Sequence, residues 1–413
     1  MGKLDAQHSM KQDYLLRTEQ WDLVISEFNH DVLSKRRMCG LNLALAHKGQ
    51  LSERLLDYPQ HGIETLMLHW DQSIYTAQLH SDLYYCMGII SAAQKFAFEA
   101  FVSSRSSGNP RMLKRLIETN LITGSYPIAD KYIQLLEKTW FYKDWATAHR
   151  RFLYNDKAVE EDKILGMKRR CWKAEASAAK LYTDPVSSLI NLLPACPDNK
   201  AGLAYLTSFL LLNKDIETYK TLQESLYRSP AWRDMTECQQ EAIVICSPND
   251  PHFWLEHGVS IKVRNRAIAF MQKVQDISRS GQNPAVALAS EYDKTYWYYY
   301  MFNMMEQIET IVFFCIFLLL LEGCSSNQPP AVSGQIDELP TIYPDYIDVT
   351  IPQSIAPLNF AVQTEGKACA VFTTEGYAFT VYASNGAFSI PDTDWEKLLT
   401  AAKGKQVEVS VLT

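Results

Sequence analysis

No CxxC pair occurs among the nine cysteines, Cys39, Cys86, Cys171, Cys196, Cys238, Cys246, Cys315, Cys324 and Cys369. Their number is odd and their spacing irregular, which argues against a disulfide framework or a zinc site and leaves them as core or surface thiols. The N-terminus, MGKLDAQHSMKQDY, has no apolar run, so nothing there directs residues 1–305 out of the cytoplasm. Arginine is absent after Arg279. Residues 306–413 hold 13 acidic residues against 4 lysines, a net −9, whereas residues 1–305 hold 34 acids and 36 bases, a net +2. Such a break in charge marks two pieces of different kind. A first part so near neutrality also lacks the continuous basic stripe of a nucleic-acid binder. The clusters KRR (35–37), HRR (149–151) and KRR (168–170) read as solvated helix faces, and no nucleic-acid partner is expected.

Catalytic signatures are equally scarce. The stretch DPHFWLEH gathers Asp250, His252, Glu256 and His257. A zinc-binding HExxH sets its histidines four apart, about 40° round a helix, whereas a spacing of five turns them about 140° apart, onto opposing faces. A metal-dependent enzyme built on His252 and His257 would need a non-helical loop there. Satisfied loop or surface histidines are the simpler reading. Lys405 follows Gly404 but lacks the upstream glycine and following Ser/Thr of a phosphate loop, and reads as a strand-turn lysine. No catalytic residue, cofactor or metal site is expected, and the chain reads as non-enzymatic.

What is present is helical periodicity. At 413 residues, 47% hydrophobic and 21% charged, the chain can fold two or three domains. From Tyr14 to about Met301, apolar residues recur at three- and four-residue intervals. Breaks fall at SSRSSGNP (103–110), LPACPDNKAG (193–202) and SPNDP (247–251). In NPRMLKRLIETNLITGSYPIADKYIQLLEK, Leu113, Leu116 and Leu121 form one apolar face, Gly124 is the expected left-handed cap, and Tyr126, Ala129, Tyr132, Leu135 and Leu136 open the next helix. The spacing Gly-x-Tyr-x-x-Ala-x-x-Tyr resembles the second half of a tetratricopeptide repeat. Echoes occur in MCGLNLALAHKGQLSERLL, turning at Gly49, and GLAYLTSFLLLNKDIETYKTL, turning near Asn213. The repeat is degenerate, with Ile117 and Asn42 where the consensus has glycine. The expected fold is therefore mainly α, a tetratricopeptide-like α-solenoid of helical hairpins over residues 1–303.

The phrases LLRTEQWDLVI, LNLALAHKGQL, DYPQHG, ADKYIQLLEKTWFYKDWA and KTYWYYYMF resemble, over about residues 10–302, a family of uncharacterised bacterial membrane proteins. There a transmembrane bundle precedes a tetratricopeptide-like soluble region. The resemblance implies that this chain is a truncated or partial copy, and it transfers no functional residue. The aromatic run 296–302 has two readings, an interfacial belt before a membrane segment or a cap on the helical core.

Beyond it, the run Ile311–Leu321 is 11 residues long. That is too short for a span of about 20 residues but the length of a signal-peptide core. Leu321-Glu322-Gly323-Cys324 resembles a lipobox, which makes Cys324 the expected lipid attachment site and residues 304–324 a lipoprotein-signal-like segment. Residues 325–342 read as a flexible linker. In residues 343–413 the period becomes two: YIDVTI, ACAVFTT, YAFTVYA and QVEVSVL read as strands, SNG as a hairpin turn, and DTDWEKLLTAA as a helix capped by Asp392 or Thr393. This small β-rich (α+β) domain carries YPDYIDVTIPQSIAPLNF and WEKLL…GKQVEVSV. Together with the preceding signal-like segment, over about residues 305–413, it resembles the N-terminal portion of TolB-like β-propeller lipoproteins, cut short before any propeller. Two partial neighbours joined by fusion, a lost stop or a frameshift would produce such a chain. The expected function is a protein- or peptide-binding scaffold of the bacterial cell envelope, with membrane contact through residues 308–324. The alternatives are a lipoprotein precursor whose C-terminal domain is the functional product, or the His252/His257 enzyme. If the internal signal is unused, residues 1–303 are expected in the cytoplasm.

Overall fold

Helix punctuation falls at the polar and proline-bearing clusters. The computed structural model describes residues 3–28, 34–104, 109–177, 184–226, 235–248, 250–303, 339–363, 368–384 and 386–412. In it the 103–110 cluster separates helices Ile90–Val102 and Pro110–Thr123, the 193–202 cluster precedes Lys200–Leu212, and 247–251 lies between Glu237–Cys246 and Pro251–Glu256. The protein is mainly helical, with a small sheet-containing region near its C-terminus. It packs as two units, each discontinuous in sequence: Met1–His69 with Pro185–Gly323, and Trp70–Asp184 with Cys324–Thr413. No described helix is long and apolar enough to cross a membrane. The run Ile311–Leu321, Cys324 and most of the linker lie outside the described residues. All seven described cysteines are free thiols, six of them buried.

In the first unit, Lys35–His47 is buried along most of its length and receives Lys200–Leu212 from the distant segment. The turn after Lys200–Leu212 falls as expected near Asn213, but its left-handed residue is Lys214 (φ 56°), not a glycine. Helix Glu237–Cys246 starts with a reciprocal Thr236/Gln239 capping box, and Thr236 Oγ1 also donates to the Ser52 carbonyl (3.1 Å). The aromatic run forms the short helix Tyr296–Phe302, with Tyr296, Trp297 and Tyr299 buried. It caps the helical core, so those three rings are spent on packing.

In the second unit, Ile74–Met87 and Ile90–Val102 form one helical hairpin, and Pro110–Thr123 and Tyr126–Leu136 form another. Asn109 caps Pro110–Thr123 by accepting from the N–H groups of Arg111 and Met112, with Pro110 where no N–H is needed. Gly124 sits at φ 77°, ψ 13°, the left-handed cap that the pattern called for. Leu113, Leu116, Leu121, Tyr126, Ala129, Tyr132 and Leu136 are buried, but Leu135 is exposed. It falls at the edge of the apolar face, about 60° round the helix from Tyr132 and about 100° from Leu136.

The KRR cluster at 168–170 overturns its reading as a solvated face. Lys168 and Arg169 are buried on helix Lys163–Ser177. Lys168 Nζ donates to Cys86 O (2.9 Å) in the last turn of Ile74–Met87; Arg169 donates to Ile122 O (3.0 Å) and Leu121 O (2.7 Å) in the last turn of Pro110–Thr123. Helix C-termini leave carbonyls unpaired and carry partial negative charge, so two cations from a third helix satisfy both. Arg37 of the 35–37 cluster is also buried, over the Phe28 ring. Arg150 of the 149–151 cluster remains on the surface, ion-paired with Asp130 and Glu137.

The sheet-containing region comprises β1 (Ile342–Tyr343), β2 (Phe360–Val362), β3 (Cys369–Thr374), β4 (Tyr377–Tyr382), β5 (Ala387–Phe388) and β6 (Glu408–Leu412), in two antiparallel sheets ordered β1-β2-β5 and β4-β3-β6. Three of the four expected strands appear as β3, β4 and β6. YIDVTI does not form one: Asp345 Oδ1 turns the chain by accepting from Ile347 N (3.1 Å), and Asp348 has φ 53°. Around SNG, Ser384 and Ala387 exchange both backbone hydrogen bonds, but the turn passes the chain from β4 in one sheet to β5 in the other. Gly386 is required there, because a Cβ would lie 2.6 Å from Val362 O and φ is +76°. Helix Asp392–Ala401 begins one residue earlier than expected, with Pro391 as its N-cap and no side-chain cap. Asp392 and Asp394 instead occupy its first turn, where negative charge suits the helix dipole. Trp395 anchors the helix by donating to Ile355 O (2.9 Å).

Candidate functional site: an aromatic and polar cleft in the first unit

Two of the quoted phrases meet. DYPQHG and the region of KTYWYYYMF line a cleft of about 550 Å³ whose walls are Leu56 to His61 on one side and Asp293, Lys294, Tyr298, Tyr299, Phe302 and Asn303 on the other. That volume falls in the usual range for ligand sites, about 300–1,000 Å³.

Each wall is held by buried polar pairs. Asn42 is fully buried and donates to Gln60 Oε1 (3.2 Å) and Thr65 O (2.9 Å), while Gln60 Nε2 donates to Leu55 O (2.8 Å). Thr65 Oγ1 contacts both Gln60 Oε1 and Gly62 O at 2.7 Å, so the 58–65 loop closes on itself around one amide. An amide at position 42 can do this where the glycine of the repeat consensus could not. On the same wall the Tyr58 hydroxyl accepts from Arg54 (2.6 Å), and Arg54 is also ion-paired with Asp57.

The opposite wall hangs from Glu241, whose Oε2 accepts from Tyr296 N (2.7 Å) and whose carbonyl accepts from Trp297 Nε1 (3.1 Å). Burial pushes the Glu241 carboxyl up to about 7, with the Tyr296 N–H pulling it back in part. The Tyr296 and Tyr299 hydroxyls donate to Leu211 O and Leu212 O, both at 3.0 Å, satisfying the end of Lys200–Leu212. Lys214 Nζ, next to the Tyr299 and Tyr300 rings, donates to Asn303 O (2.8 Å), and burial lowers its amine below the ordinary lysine value.

The cleft therefore presents aromatic surface from Tyr298 and Phe302, with the buried Tyr58 behind its other wall, beneath a rim where Asp293, Lys294 and Pro59 are exposed. Among the described residues nothing pairs with the buried Nε2 of His61, an atom whose desolvation a bound donor or acceptor would offset. Such a surface offers stacking and apolar contact, with opposite charges side by side at the rim.

The histidines singled out by sequence stand elsewhere. His252 lies on the exposed short helix Pro251–Glu256, 3.5 Å from Glu256, and His257 caps that helix with Nδ1 donating to Phe253 O (2.8 Å). Asp250 is the N-cap, accepting from Phe253 N (2.9 Å). Each of these residues has a local role in one helical turn. Among the described residues, no group of three or more His, Cys, Asp or Glu is placed to hold a metal ion. Cys324 lies outside the described residues.

This arrangement defines a mainly helical protein with an open cleft in its first unit. Residues 3–303 match a family described as a family of unknown function (DUF6057), and the chain belongs to that family. No curated protein and no solved structure matches it.

Proposed function

We propose that the chain is a non-enzymatic helical-repeat protein of the bacterial cell envelope, whose cleft binds an extended segment of a protein partner. The observation that carries this reading is the cleft, with aromatic walls built on buried hydrogen bonds and a rim of charges available to a ligand. Its successive hairpins suit a tetratricopeptide-like solenoid, in which stacked helix pairs expose side chains to a peptide. Rigid aromatic residues lose little conformational entropy on binding, and proline-bearing segments dock on such surfaces. Selection of a displayed random-peptide library on the full chain tests the idea. Peptides enriched on the wild type should bind the Phe302→Ala, Lys294→Glu double variant about tenfold or more weakly. No enrichment, or equal binding by the variant, would remove the cleft as a peptide site.

A second reading is kept because of the Gly323-Cys324-Ser325-Ser326 junction. Here the C-terminal region is released as a lipoprotein after cleavage before Cys324, and the acyl chains on that cysteine hold it at the membrane. Intact mass measurement on membrane fractions should then find a lipidated fragment beginning at Cys324, lost in Cys324→Ala. A single full-length species in both would eliminate the precursor.

A further inference from the structure

In the second unit, the turn between helices Tyr126–Leu136 and Lys143–His149 carries Trp140 and Phe141, 95% and 94% exposed, the most exposed large apolar side chains among the described residues. Two adjacent rings at such exposure protrude from the surface. The turn beneath them is well tied: Thr139 donates from both N (3.0 Å) and Oγ1 (2.7 Å) to Leu136 O, and Ala146 N donates to Tyr142 O (2.9 Å). Lys138 and Lys143 bracket the aromatic triplet Trp140-Phe141-Tyr142, and both are exposed. The nearby acid Glu137 is taken up by Arg150, whose Nε and Nη2 reach its two oxygens at 2.7 and 2.8 Å. Asp144 remains, in the first turn of the following helix.

From this geometry we infer that the Lys138–Lys143 turn inserts into the interface of an anionic lipid bilayer, with Trp140 and Phe141 at headgroup depth and Lys138 and Lys143 against phosphates. Area favours this occupant over a protein. Two aromatic side chains bury about 150–250 Å² each, well short of the roughly 800 Å² per partner of a stable interface. The exposed residues flanking the triplet in sequence, Lys138, Lys143 and Asp144, are charged. Trp and Tyr favour the membrane interface, and each nearby lysine adds attraction to anionic headgroups. The turn includes neither residues 308–324 nor any residue that lines the cleft.

Cosedimentation of the full chain with phosphatidylglycerol/phosphatidylethanolamine vesicles, and with phosphatidylcholine vesicles, is the test. Trp140→Ser with Phe141→Ser should weaken partitioning into the anionic vesicles about tenfold while leaving the melting temperature unchanged, since neither ring is packed. Lys138→Glu with Lys143→Glu should weaken binding to the anionic vesicles only. The inference fails if the wild type does not bind, or if the aromatic variant binds as well, which would assign any binding to another segment. It also fails if the variant loses concentration-dependent self-association instead, which would make the turn a contact with a second copy.

Discussion

Arg169→Ala should destabilise the second unit by roughly 3–5 kcal/mol, the range for uncovering buried carbonyls and removing a buried cation from its partners. Arg169 has a side chain only 5% exposed and spends its guanidinium on four groups: Leu121 O, Ile122 O, the Tyr126 hydroxyl (3.0 Å) and Asp156 Oδ1 (2.7 Å). Alanine leaves the last turn of Pro110–Thr123 without those donors. Arg169→Lys should recover less than half of the loss, because an ammonium on a flexible stem cannot reproduce the planar fork. Asp156→Ala should cost little, since that carboxylate is 71% exposed and solvent replaces it. Chemical denaturation of the three variants gives the order directly. A loss below about 1 kcal/mol for Arg169→Ala would mean that the carbonyls find other partners.

The second large effect is on pH dependence. Glu99, on helix Ile90–Val102, is 2% exposed, with Lys95 Nζ 3.9 Å away and Tyr346 close by. Burial raises its carboxyl from 4.5 to about 7, and Lys95 and Tyr346 offset only part of that rise. A carboxyl raised on folding means that the native state holds the proton more tightly, so the contribution of Glu99 to stability is fully present below pH 4.5 and is lost as pH rises towards 7. Glu99→Gln removes the ionisation. The variant should match the wild type near pH 4 and exceed it at pH 8 by an amount on the order of 3 kcal/mol. Glu241 has the same sign in the first unit, so the variant keeps some slope. Parallel stability profiles for wild type and Glu99→Gln would show that the carboxylate is solvated in the native state.

Local signals in the chain anticipated local structure well. Gly124 was legible because a left-handed cap depends on the residue itself and on the apolar face ending before it. Strands β3, β4 and β6 were legible because alternation writes one buried face directly into sequence. YIDVTI has the same alternation, yet Asp345 and Asp348 turn its backbone, and hydrophobic period alone does not register an aspartate bonding to the main chain. Leu135 was expected on the apolar face but is exposed, because it falls at the edge of that face, about 60° from Tyr132, where period alone does not decide burial.

The remaining features depend on partners far along the chain. By itself the sequence determined that the described residues from Tyr14 to about Met301 are mainly helical with breaks at the polar clusters, and that residues 343–413 turn to strands, because composition and period act within a few residues. Only the tertiary structure decided that Lys168 and Arg169 are buried, since a run of three basic residues looks the same whether water or a helix end receives its protons. It alone brought DYPQHG to the Tyr296–Phe302 helix, across more than half the chain, and set Trp140 and Phe141 outward while Trp297 went in. An aromatic side chain carries the same hydrophobic drive in either place, and which rings are covered depends on which helices arrive to cover them.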